Sequence, residues 1–108
     1  MIENILSPVV DEQTKVLIVG SMPGVQSLEK QQYYGNPRNH FWGIIGELTE
    51  EIVPEKYEER LALVKKHRIG LWDVIRECER AGSLDSNIKN EIPNDLVTLF
   101  EQYPQIEA

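Results

Sequence analysis

The apolar positions of this chain fall into short groups with different periods. Val16, Leu17, Ile18 and Val19 stand in a row between Lys15 and Gly20. A continuous, β-branched run closed by glycine predicts a strand buried on both faces, as in parallel sheets covered by helices. Phe41, Ile44, Ile45 and Leu48 follow at the spacing of one helix face, with Asn39 ahead of them as an N-cap. Pro54 opens a second helix. It sets Tyr57, Leu61 and Val64 against the charges of EKYEER and KKHR, and Gly70 ends it. Leu71, Val74, Ile75 and Cys78 repeat the helical spacing and predict a third helix, closed by Gly82. GSLDSNIKN reads as a polar turn. A last helix begins near Pro93 or Asn94, carries Leu96, Leu99, Phe100 and Tyr103, and stops at Pro104.

Two stretches lack such order. Residues 1–14 are a lead-in broken by Pro8, and residues 21–39 form a long loop holding Pro23, Gly24, Gly35 and Pro37. A loop of that length in a compact domain is usually functional. The terminal QIEA reads as the approach to a second strand. A lone buried strand would leave its amides and carbonyls unbonded, at about 1–3 kcal/mol each. The expectation is therefore one incomplete α/β domain over residues 1–108. Either it is the N-terminal part of a longer domain, or it completes its sheet with a second copy through the unpaired edge.

Composition narrows the class. A chain of 108 residues holds one domain, and 41% hydrophobic with 27% charged residues excludes wholesale disorder. No apolar run approaches the roughly 18 residues of a membrane span, so no membrane partner is expected. MIENILSPVV has no basic start or long apolar stretch of a secretory kind. Cys78, the single cysteine, excludes an internal disulfide and a zinc site built on several thiolates, and fits a reducing, cytoplasmic setting. The net charge of −7 opposes nucleic-acid binding by bulk attraction. Residues 31–42 nevertheless contain no acid, while Arg38 and His40 are present.

Two segments carry candidate chemistry. In VLIVG-SMPG, the loop leaves the carboxyl end of a strand, where open α/β sheets bind ligands. Gly20 and Gly24 let it turn tightly, and Gly24 can present backbone N–H groups. It is neither a P-loop nor a dinucleotide fingerprint, and a plain strand-to-loop turn remains open. In QQYYGNPRNHFW, tyrosines can stack on bases, amides can read base edges and arginine can pair with phosphate. Plainer roles stand beside these: Phe41 and Trp42 as helix core, Tyr33 and Tyr34 as packing, Asn39 as a cap. Cys78 reads as a core thiol, and His67, among Lys65, Lys66 and Arg68, as solvated.

Taken together, Gly20-Ser21-Met22-Pro23-Gly24 and the segment from Gln32 to Trp42 closely resemble the first motif block of the uracil-DNA glycosylase superfamily. The nearest branch is that of the DNA-deoxyinosine, or hypoxanthine-DNA, glycosylases. GLWDVIRECERAGSLDSNIKN, from Gly70 to Asn90, resembles the middle region of that branch, so the likeness runs from about Lys15 to Tyr103. It implies a three-layer α/β/α fold with a central parallel sheet, helix-rich in the region present. It implies a base-excision repair hydrolase that uses no metal and no cofactor and acts on DNA containing a deaminated base, hypoxanthine or uracil.

The resemblance also implies residue roles. Asn39 falls on the catalytic asparagine of this branch. The position used by the mismatch-specific branch is Met22 here, so catalysis from the first motif is not available. Tyr34 is the aromatic that stacks on the flipped base, and Ser21, Met22, Pro23 and Gly24 form the base site. By their own chemistry, Arg38 can meet a phosphate or form a surface ion pair, and His40 can assist the leaving group or serve at the surface or as a cap. Ser83, Asp85 and Ser86 touch the substrate strand or cap a helix. The family's second motif, a serine- and proline-rich loop that enters the minor groove, has no counterpart in these 108 residues. Two other readings stay open: a catalytically silent fragment that associates with itself, and an α/β domain that binds small nucleotides.

Overall fold

The run Val16–Gly20 forms a strand, β2, and β3 (Ile69–Asp73) lies parallel beside it, in register from Val16–Ile69 to Gly20–Asp73. A computed structural model describes residues 2–36 and 39–106. In chain order the elements are β1 (Ile2–Glu3), β2, α1 (Val25–Lys30), α2 (Phe41–Thr49), α3 (Tyr57–Lys66), β3, β4 (Ile75–Glu79), β5 (Lys89–Pro93) and α4 (Leu96–Gln102). A 3-10 turn at Asp85–Asn87 precedes β5. The chain is of the α/β class. The parallel pair β2–β3 stands next to an antiparallel sheet of order β1-β4-β5.

Four expectations are corrected. The first is the lone strand: β2 has a partner, and it is not buried on both faces, since Val16 and Val19 are 48% and 47% exposed. The second is the helix over Leu71–Cys78, which is two strands. The chain breaks between them at Val74, whose N–H donates to Gly20 O, while Ile75 N–H donates to Ser21 O. Their partners lie some fifty to seventy-five residues away, at β2 for β3 and at β1 for β4, and local spacing does not register them. The third is Gly70, which sits inside β3, while α3 ends at Lys66. A Cβ there would meet Val9 O at 2.8 Å, so glycine lets the N-terminal segment lie against the strand.

The fourth concerns the face of α2. Trp42 and Ile45 are its buried residues, whereas Ile44 and Leu48 are 53% and 70% exposed. The buried side turns toward a core shared with Leu6, Val9, Tyr33, Leu63, Val64 and Leu71. A second, smaller cluster joins Met22, Ile75 and Cys78, the last fully buried as a core thiol. The long loop also contains α1, a helix of six residues. His67 is exposed, as expected, and bonded to Glu51, which Lys66 Nζ also reaches at 2.9 Å. Together the two hold the Glu51 carboxylate below its ordinary range.

Candidate active site

Where β2 and β3 end side by side, the chain turns away in two directions and leaves a cleft of about 410 Å³. One wall is the loop Ser21–Gly24 with the start of α1. Gly24 caps α1 in an extended conformation, and Val25 N–H donates to Ser83 Oγ at 2.8 Å. Arg80, 8% exposed, donates from Nη2 to Pro23 O at 2.6 Å and from Nε to Gly82 O at 2.8 Å. The loop is thus tied to residues 80–83 by a buried guanidinium and a serine. Met22 is turned into the smaller core, which leaves its backbone to the cleft.

The opposite wall comes from the turn after α1. Tyr33 is 4% exposed, its hydroxyl donates to Ser7 O at 2.7 Å, and its carbonyl accepts from Trp42 Nε1. Tyr34 takes a left-handed backbone, with φ of 54°, and its ring stacks on Phe41 at 3.7 Å between centroids. For a bulky residue such a conformation costs roughly 1–3 kcal/mol and persists where the surroundings impose it. Here the buried Tyr33 on one side and the Phe41 stack on the other do so. Burial and the Asp73 carboxyl push the Tyr34 phenol up to about 12, so it stays protonated and able to donate. Asn39 Oδ1 accepts from Phe41 N–H at 2.8 Å, which fixes the amide plane at the entrance to α2. The N-cap of α2 is His40, not Asn39 as the spacing predicts; Asn39 stands one residue earlier, tied to the helix start through Phe41 N–H, and lines the cleft.

Ser21, Met22, Pro23, Gly24, Tyr34 and Asn39 all line this cleft. His40 does not; it is exposed at the start of α2. Arg38 lies outside the described residues. Of the later segment, Ser83 and Asp85 line the cleft, and Ser86 is exposed. The residue that sequence reasoning passed over is Asp73, at the end of β3 and only 5% exposed. A buried carboxyl at a strand end was its signal, and the helical reading of 71–78 hid it. Among the described residues, no Lys or Arg lines the cleft, while two acids do. Among the described residues no group of three or more His, Cys, Asp or Glu could hold a metal ion, and no helix is long and apolar enough to cross a membrane.

A cleft at the carboxyl ends of parallel strands, walled by a Gly-Ser-Met-Pro-Gly loop and a Tyr-to-Asn turn, is the arrangement expected from the motif block. The family model of the Uracil DNA glycosylase superfamily matches residues 7–107, and the chain belongs to that family. More particularly, it is 45% identical over 107 residues to a hypoxanthine DNA glycosylase of Methanosarcina acetivorans, covering 98% of this chain and 68% of that protein. It is 42% identical over 101 residues to one of Methanosarcina barkeri, covering 93% of this chain and 64% of that protein. A solution NMR structure from Methanosarcina acetivorans, provisionally assigned as a uracil DNA glycosylase, superposes with a TM-score of 0.87 at 44% identity, over 99% of this chain and 67% of that one. The chain thus spans about two thirds of the length of these relatives.

Proposed function

We propose that the protein hydrolyses the N-glycosidic bond of a deaminated base in DNA, hypoxanthine first and uracil second. The observation that carries this reading is that both motif segments line one cleft at the strand ends. The relatives named for hypoxanthine DNA support the same base. A base inside a duplex is out of reach, so the nucleotide flips out at a cost of a few kcal/mol, least for a mispaired base. Stacking on Tyr34 returns about 1–3 kcal/mol of that. Bond cleavage puts positive charge on the sugar and negative charge on the departing base. The Asn39 amide orients the attacking water at the sugar carbon, while backbone N–H groups of the Met22–Gly24 loop stabilise the base. Arg38 meets a phosphate of the DNA strand, and His40, exposed at the start of α2, has an auxiliary part.

The test is base release from a labelled duplex with one deoxyinosine, developed by alkali. Asn39→Ala is expected to lower release by about 10²–10³, the worth of one positioning group, with DNA binding retained. Unchanged release in that variant would remove Asn39 from the chemistry. Free hypoxanthine binding as tightly as the duplex would point instead to a small-nucleotide site. One observation favours a second reading, a silent module that pairs with its own copy: the outer strand β2 exposes Val16 and Val19.

A further inference from the structure

We propose that Arg80 is a positioning residue for bond cleavage, its guanidinium polarising the Pro23–Gly24 peptide so that the Gly24 N–H receives the departing base. The inference rests on the function just proposed and deepens it. Arg80 follows β4 and is 8% exposed, with Nη2 on Pro23 O and Nε on Gly82 O. Its Nη1 is buried with no hydrogen-bond partner, and among the described residues no carboxylate forms an ion pair with the guanidinium. An arginine keeps its charge at any ordinary pH. A buried charge without a counter-ion is costly, and neutral donors would hold the same two carbonyls. The tie alone does not account for the charge.

The Pro23–Gly24 peptide carries that charge forward. It is trans, so its C=O and N–H point in opposite directions. Pro23 O is turned to Arg80, which stands outside the cleft lining. The Gly24 N–H is thus turned away from the guanidinium, and among the described residues nothing accepts from it. Gly24 itself lines the cleft, whereas the next amide, Val25 N–H, is committed to Ser83 Oγ. A cation bonded to a carbonyl draws electron density from the amide nitrogen and makes the N–H at the other end a stronger donor.

The lining of the cleft makes such a donor useful. Its acids are Asp73, which fills the floor beside Gly20, and Asp85, and neither helps an anion leave. As the glycosidic bond breaks, its electron pair leaves with the base. Water gives its hydroxyl to the sugar carbon and, through solvent, its proton to the base. Between these events the base is negative, and a donor already aimed at it stabilises it without reorganisation.

The experiment measures single-turnover release from a duplex carrying one deoxyinosine, with the wild type, R80K and R80Q, and hydrogen exchange of the Gly24 amide by NMR in the same proteins. R80Q keeps a donor for Pro23 O and removes the charge. It should release the base about 10²-fold more slowly, with duplex binding by anisotropy unchanged and melting curves confirming its fold. R80K keeps the charge and should stay within about tenfold of wild type. The base-catalysed exchange of Gly24 should be faster in the wild type and R80K than in R80Q, because a polarised N–H is more acidic. Unchanged release in R80Q, equal losses in R80K and R80Q, or equal Gly24 exchange in wild type and R80Q makes Arg80 a clamp only and overturns the proposal. If R80Q does not fold, the wild-type Gly24 amide decides: exchange faster than in an unstructured peptide upholds the polarised N–H, and slower exchange sinks it. If the folded wild type releases no base, faster Gly24 exchange than in R80Q upholds Arg80 while sinking the release chemistry; equal rates sink both.

Discussion

At position 20 one methyl group is enough to disturb the cleft floor. Gly20→Ala would press its Cβ onto the Asp73 carboxyl, which is buried and cannot swing away freely. Overpacking of this kind costs about 1–3 kcal/mol, to be read by urea denaturation. Adding Asp73→Ala should recover part of that loss, since the two positions are in contact and their effects do not add. If the pair is strictly additive, the contact is not what makes glycine necessary. The same scale explains why Tyr33 and Tyr34, adjacent and identical in type, part company. Tyr33 spends its hydroxyl on the N-terminal segment and its body on the core. Tyr34 is turned the other way by its left-handed backbone and keeps its hydroxyl near the cleft floor.

Among elements, α2 offers the cleanest contrast between pattern and packing. Ile45 is 1% exposed and Leu48 is 70% exposed. Ile45→Ala is expected to cost about 2–5 kcal/mol and Leu48→Ala under about 0.5 kcal/mol, both by chemical denaturation. Equal costs would mean that the exposed face of α2 is covered in solution. The sequence pattern locates α2, α3 and α4 well, because each runs about two turns or more with apolar residues at helical spacing. It finds β2 for the same reason: four β-branched or aliphatic residues and a glycine are hard to read otherwise. It misses α1, where Val25 and Leu28 are the only large apolar residues in six and no side chain caps the start. It mistakes β3 and β4 for a helix, because their identity comes from distant partners. The cleft walls are legible through the motif block, whereas Asp73, Asn4 and the Arg80 tie are not. These three gain meaning only when residues 4, 23, 73 and 80 meet in space.

Over the whole molecule the chain is a slab, 37 by 34 by 19 Å, with the cleft at the ends of the β2–β3 pair. Its parallel pair has an outer edge on β2, flanked by Val16 and Val19. Such an edge is a template for pairing. Sedimentation over a concentration series is expected to show a growing dimer in the wild type, and Val19→Lys should hold the chain monomeric with a stability change within about 0.5 kcal/mol. A wild type that stays monomeric at every concentration removes the silent-module reading. Another global feature is the placing of the first residues. β1 is only two residues long, yet Ile2 lies opposite Cys78 and Asn4 reaches Asp73. Asn4 is made about seventy residues before Asp73, so during synthesis its segment has nothing to hold until β3 and β4 follow. That segment is thus put in place late, and a tag fused close to Ile2 would sit beside the cleft floor.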